Sequence, residues 1–307
     1  MKRLVAALLL YCAGVAANPP TAADFVPRRI PLSHPLSWDE VLRLPPPPPV
    51  PRMAYGPAPQ QFGELRVPVG AGPFPVALLV HGGCWQAGYA YRYFSHLAAW
   101  LAARGIASWT VEYRRLGDAG GGWPNTFLDV AAAADALRAL AQQQPLDLTH
   151  VVAAGHSAGG QLALWLAARA QLPASGELHA AQPLPIAGVV ALAPITDLAA
   201  YRIGPPDSCN ASVEKLLGGT PQQQPQRYAQ ASPVELLPLR VPQWIVQGSD
   251  DRIVPAAGVR AYAQRARAAG DRVELAELPR LGHFDVAVPG TGAEAALTRA
   301  FDQAAGR

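Results

Sequence analysis

The stretch Val151-Val152-Ala153-Ala154-Gly155-His156-Ser157-Ala158-Gly159-Gly160 decides the reading of this chain. Its small and β-branched apolar residues predict a buried strand, Gly-His-Ser-Ala-Gly a sharp turn, and Gln161 to Ala170 a helix. A serine at the tip of such a turn holds strained backbone angles, so the residues two before and two after it must lack clashing side chains. Gly155 and Gly159 meet that demand, which makes Ser157 the candidate nucleophile. The competing reading is a glycine-rich helix start with a capping serine, and the partners found elsewhere in the chain weigh against it.

A serine hydroxyl is a poor nucleophile until a base takes its proton, and the base needs an acid to orient it. Both follow Ser157 in the order that a strand–turn–helix serine requires. Gln247-Gly248-Ser249-Asp250-Asp251-Arg252-Ile253-Val254-Pro255 trails an apolar strand and supplies the acid; Leu281-Gly282-His283-Phe284-Asp285 trails the last strand and supplies the histidine. Of the adjacent acids Asp251 is preferred, because D-x-x-V-P lets Val254 and Pro255 anchor the loop into the next helix, leaving Asp250 as a turn residue. Asp197, after the preceding strand, is the lesser candidate. His156 and His81 compete with His283, but His156 fills the variable position of the turn, and a structural role suits His81 better.

A tetrahedral oxyanion needs backbone N–H donors, one from the residue after the nucleophile and others from a glycine-containing loop after an early strand. Ala158 is the first candidate. Gly83 and Cys84 of His81-Gly82-Gly83-Cys84-Trp85 are the others, since glycine lets the main chain approach a substrate closely.

Around these sites strands and helices alternate. Strands are expected over 62–69, 74–80, 106–113, 186–193, 241–247 and 272–278, and helices over 91–104, 126–143, 256–269 and 292–304. The alternation predicts an α/β fold with a mostly parallel sheet covered by helices on both faces. It lapses between about 198 and 239, where one short helical piece, 211–217, is expected in a small lid insertion. Residues 61–307 form the folded domain in this reading, and 18–60, centred on five prolines at 45–49, an extended leader lying on or off it.

Met1-Lys2-Arg3, a short apolar core and Val15-Ala16-Ala17 read as a signal peptide over 1–17, and the expected location is exported, periplasmic or extracellular. Lipid anchoring through Cys12 is disfavoured by the bulky Tyr11. Loss of 1–17 lowers the formal charge from +3 to +1, so no nucleic-acid partner and no stable membrane association are implied. No metal or dinucleotide site is legible, and no cofactor is expected. Two cysteines then remain, Cys84 and Cys209; an even count in an oxidising compartment favours a bridge between lid and oxyanion loop, with two buried thiols as the alternative.

HGGCW, GHSAGG and GHFD together resemble the motifs of the kynurenine formamidase-like branch of α/β-hydrolases. With Glu112-Tyr113-Arg114-Arg115 and Gly120-Gly121-Gly122-Trp123-Pro124, the chain from about Gln61 onward is also similar to bacterial esterase/lipase-type proteins. The resemblance implies the α/β-hydrolase fold and oxyanion amides at Gly83 and Cys84. Residues and resemblance together lead to the expectation of a secreted serine hydrolase acting on a small ester or amide. Cysteine stands where the HGGxW motif of the formamidases has tyrosine, and with the export signal this favours a carboxylesterase over an arylformamidase. A binding protein on an inactive hydrolase scaffold is disfavoured, because Ser157, Asp251 and His283 are all present.

Overall fold

The structure, a computed structural model, describes residues 29–204 and 209–307. The expected signal peptide with Cys12, the first part of the leader, and residues 205–208 of the lid lie outside the described residues.

Among the described residues eight strands form one sheet: β1 Arg52–Ala54, β2 Phe62–Arg66, β3 Phe74–Val80, β4 Ala107–Val111, β5 Leu146–His156, β6 Gly188–Leu192, β7 Gln243–Gly248 and β8 Val273–Leu278, in the order β1-β2-β4-β3-β5-β6-β7-β8. β1, β2 and β4 pair antiparallel, and every pairing from β4 to β8 is parallel. Continuous apolar runs build the centre because both faces are covered. Leu78, Val80, Val151 and Ala153 point into one core, while Ala77, Leu79, Val152 and Ala154 point into the other.

Ten helices among the described residues surround the sheet. In chain order they are α1 Trp38–Arg43, α2 Ser95–Ala103, α3 Asn125–Asp135, α4 Leu137–Leu140, α5 Ala158–Ala168, α6 Leu198–Tyr201, α7 Asn210–Leu217, α8 Pro225–Ala231, α9 Ala256–Ala268 and α10 Glu294–Ala304. Leu97 and Leu101 of α2 and Leu297 and Phe301 of α10 fill one core; Phe127 of α3, Trp165 of α5 and Tyr262 of α9 fill the other. α5 is buried almost throughout, as a helix apolar on every side must be.

The chain runs from β3 to β4 on one side and places β5 on the other, so the sheet order reverses between β3 and β5. A crevice outside the carboxyl ends of the strands opens at such a reversal. HGGCW leaves β3 there and the serine turn leaves β5, while the loops after β7 and β8 bring Asp251 and His283 to the same edge.

Two expectations are corrected. The folded domain does not begin at 61, and the described part of 18–60 is more than an extended leader: Met53 pairs with Gly63 in an added edge strand, and Val41 of α1 is 1 % exposed in the core. Pro51 lies just outside β1, and proline is tolerated beside an edge strand, so the polyproline run does not exclude pairing after it. The described residues of 198–239 hold three short helices, α6 to α8, and a 3-10 turn at Pro233–Leu236 instead of one helical piece. Proline at the first position of α8 starts that helix where the glutamine-rich composition suggested a loop. It is docked on α5 by the Trp165 indole N–H to the Gln230 carbonyl (3.0 Å) and Gln161 Nε2 to the Ala231 carbonyl (2.9 Å).

Candidate active site

Ser157 lies between β5 and α5 with φ 58° and ψ −120°, a strained conformation for a residue with a side chain. A Cβ on Gly155 would come within 2.0 Å of the Gly159 carbonyl oxygen, and one on Gly159 within 2.1 Å of the Val80 carbonyl oxygen, so only glycine fits either place. The bend is fixed on both sides. Ser157 N–H donates to the Leu192 carbonyl (2.9 Å), and its own carbonyl accepts from Gln161 N–H (3.1 Å) and Ile195 N–H (3.3 Å).

HGGCW turns through three successive positive φ angles, 108° at Gly83, 56° at Cys84 and 55° at Trp85. Gln86 N–H closes the turn on the Gly83 carbonyl (2.9 Å), and the buried Trp85 donates its indole N–H to Gln161 Oε1 (3.1 Å), fastening the loop to α5. Gly83 and Cys84 therefore border the pocket that Ser157 faces. Ala158 is the first residue of α5, where a helical N–H has no acceptor one turn back. Cys84 is bonded to Cys209 with Cα atoms 4.9 Å apart, so the loop and the segment leading into α7 are covalently joined.

His283 Nδ1–H donates to Asp251 Oδ2 at 2.7 Å, both side chains being almost fully buried. Oδ1 accepts from Ile253 N–H and Val254 N–H, each at 2.8 Å, and Gln247 Nε2 adds a bond to Oδ2 at 3.2 Å. Burial by itself raises the Asp251 carboxyl; the bond from His283, its charge and the two backbone donors outweigh burial and hold it below the ordinary carboxylate value. Asp250 is exposed and accepts from Ser249 Oγ (2.7 Å), and Asp197 caps α6 through Ala200 N–H (2.9 Å). Neither is bonded to His283.

The competing histidines have both ring nitrogens engaged. His81 Nδ1 meets the Gly82 carbonyl and Nε2 the Glu112 carboxylate, each at 2.7 Å. His156 Nε2–H donates to the carbonyl of His283 (2.9 Å), which leaves Nδ1 to accept from Tyr93 O–H (2.8 Å). Tyr93 oxygen in turn accepts from Gly82 N–H (2.8 Å). Burial, then the charge of His283, depress His156 to about 3, and burial raises Tyr93, so both stay neutral in this chain of bonds. It ties the HGGCW loop, the serine turn and the histidine loop together. Tyr93, and this role for His156, escape a reading of the sequence because no spacing rule pairs residues that meet only in the fold. Nε2 of His283, by contrast, has no protein partner among the described residues.

Ser157, His283, Gly83 and Cys84 line one pocket of about 190 Å³, with Trp38 and Phe284 among its walls. Nucleophile, oriented base and a backbone donor loop around one small space are the parts needed for acyl transfer. No cluster of three or more metal-ligating side chains occurs among the described residues.

Esterase LipC of Mycobacterium tuberculosis is 28% identical over 242 residues, which are 76% of this chain and 60% of that protein; the chain thus matches less than two thirds of that relative's length. Solved structures that share the fold include three esterases. A truncated carbohydrate esterase from gut microbiota aligns with TM-score 0.72 and 19% identity over 83% of this chain and 95% of that one. Esterase B of Lactobacillus rhamnosis gives TM-score 0.69 and 22% identity over 83% and 85%, and Est2, an esterase of the planctomycete Thermogutta terrifontis, 0.67 and 23% over 86% and 94%. At these identities the likeness establishes an α/β-hydrolase fold. A family model described as BD-FAE matches residues 66–265, well over half of the 307, from β2 through the Asp251 loop to most of α9, and the chain belongs to the BD-FAE family.

Proposed function

We propose that the protein is a carboxylesterase that works through an acyl-enzyme on Ser157. The observation that carries this reading is the buried Asp251–His283 pair opening onto the pocket of a serine held in a strained turn. Nε2 of His283 takes the proton from Ser157 as the hydroxyl attacks the ester carbonyl; Asp251 holds the ring and stabilises its charged form. The N–H groups of Gly83, Cys84 and Ala158 receive the oxyanion. The alcohol leaves with the proton from His283, and water repeats the attack on the acyl-serine. The named relatives are esterases, which supports the ester side of the resemblance, while the formamidase side gains no support from them.

Export through residues 1–17 belongs to the same proposal. It is supported by the Cys84–Cys209 bond, since such bonds persist in oxidising compartments. The deciding experiment compares wild type and Ser157→Ala on p-nitrophenyl acetate and butyrate. Wild type turns over, and the variant loses about a thousandfold or more in kcat while keeping its fold. A folded Ser157→Ala protein with wild-type turnover removes the mechanism. N-Formylkynurenine, run alongside, is the slower substrate; a higher kcat/KM for it than for any short ester reverses the assignment.

A further inference from the structure

The stretch 30–44 straps the loop that carries His283. Ile30 N–H donates to the Gly290 carbonyl (2.8 Å), and Leu36 N–H to Asp285 Oδ1 (2.9 Å). The other oxygen of Asp285 accepts Gly282 N–H (2.6 Å), so one buried carboxylate ties the strap to the histidine loop. Pro35 presses on the same loop: a Cβ on Gly282 would lie 2.5 Å from Pro35 Cβ. This gives the Asp of the GHFD motif a purpose that its spacing did not reveal.

A reciprocal capping box between Ser37 and Glu40 fixes the start of α1, and Val41 anchors the helix in the core. Trp38, the first residue of α1, is thereby aimed at the pocket. Its indole meets the edges of Tyr89 and Tyr93 at 5.2 Å and lies 5.7 Å from the Phe284 ring next to His283. Four aromatic rings held against one another make a stiff wall. The pocket they border, about 190 Å³, is smaller than a pocket for a drug-sized ligand.

We propose that Trp38 is a specificity-determining residue and that the strap belongs to the active site, limiting the substrate to esters with a short or compact group on the side that enters this pocket. The inference rests on the esterase reading of Ser157. A chain longer than the pocket must displace the indole, which three rings and the Asp285 tether hold in place, or stay in water. In a fitted apolar pocket one methylene changes the rate by about tenfold or more.

The test uses the full mature protein as wild type, Trp38→Phe and Trp38→Ala, with p-nitrophenyl acylates from acetate to octanoate and alkyl acetates of increasing length. In one of the two series wild type falls off at least about tenfold beyond the short members, and Trp38→Ala raises the long-to-short ratio of kcat/KM by about tenfold or more. Trp38→Phe, which keeps most of the packing, falls between them and decides the matter if Trp38→Ala does not fold. A ratio unchanged within twofold in both series, or a wild type indifferent to length, overturns the proposal. Labelling with a p-nitrophenyl methylphosphonate, read by mass spectrometry, separates the two readings. Without modification at Ser157 the nucleophile assignment falls; with Ser157 modified and the length ratios unchanged, only the role of Trp38 falls.

Discussion

At the scale of single residues the site depends on how completely each polar group is committed. Asp251 receives His283, two backbone N–H groups and Gln247, while its neighbour Asp250 faces solvent. Asp251→Asn is expected to lower kcat by about a thousandfold or more, because an amide that donates toward Nδ1 selects the wrong ring tautomer. Asp250→Asn should leave kcat within about twofold of wild type, as surface changes away from such partners do. Steady-state kinetics on both variants check the ranking, and the reverse order moves the acid by one position. Tyr93→Phe should act on stability as well as rate, since it strands the Gly82 N–H and His156 Nδ1, and each buried orphan costs about 1–3 kcal/mol. Urea unfolding is expected to show a loss of about 2 kcal/mol or more, with kcat down about tenfold as the HGGCW and histidine loops lose their common anchor.

At the scale of elements, the parts legible in the sequence are those whose cause is local. β3, β5 and β7 announce themselves as apolar runs, and the Ser157 turn is readable because its glycines answer a steric demand within five residues. β1 and α1 were not legible: one is a three-residue edge strand after a proline run, and the other is six residues long and held by contacts with a loop about 250 residues away. Tyr93–His156 and His156–His283 span 63 and 127 positions, and no periodicity encodes such pairs. The cysteine pair was legible from the even count left after 1–17 together with the expected oxidising compartment, and the structure joins it across 125 residues. Closing so long a loop stabilises the fold by about 5 kcal/mol on chain-entropy grounds. Its further consequence is for activity, because Cys84 lies on the loop proposed to receive the oxyanion. Titration with dithiothreitol should therefore lower kcat/KM about tenfold at concentrations that leave the far-ultraviolet circular dichroism unchanged, since the loop loosens while the parallel sheet stays packed. Activity and secondary structure lost in one step would show that the bridge serves the fold alone.

At the scale of the whole molecule, the formal charge is small, so stability against pH turns on a few buried groups more than on general repulsion. His156 is the clearest of them. Burial beside His283 lowers it from 6.5 to about 3, so between those values the unfolded chain binds a proton that the native protein refuses. Its contribution is full above 6.5 and is lost as pH falls, at about 1.4 kcal/mol per pH unit. Asp251, held below the ordinary carboxylate range, acts in the same direction at lower pH, its share being lost as pH drops through its native value. Asp285 acts in the opposite sense: burial raises it, so it favours the fold at acidic pH and that share fades as pH rises through its native value. His156 spans the widest window, and the sum should be a steep acid-side loss between pH 6.5 and 4. Urea unfolding at pH 7, 6, 5 and 4.5 measures the slope for wild type and His156→Gln. Glutamine keeps the donor to the His283 carbonyl and cannot titrate, so the variant should start less stable at pH 7 and lose stability more slowly on acidification. Parallel curves for the two proteins would place the acid sensitivity elsewhere in the fold.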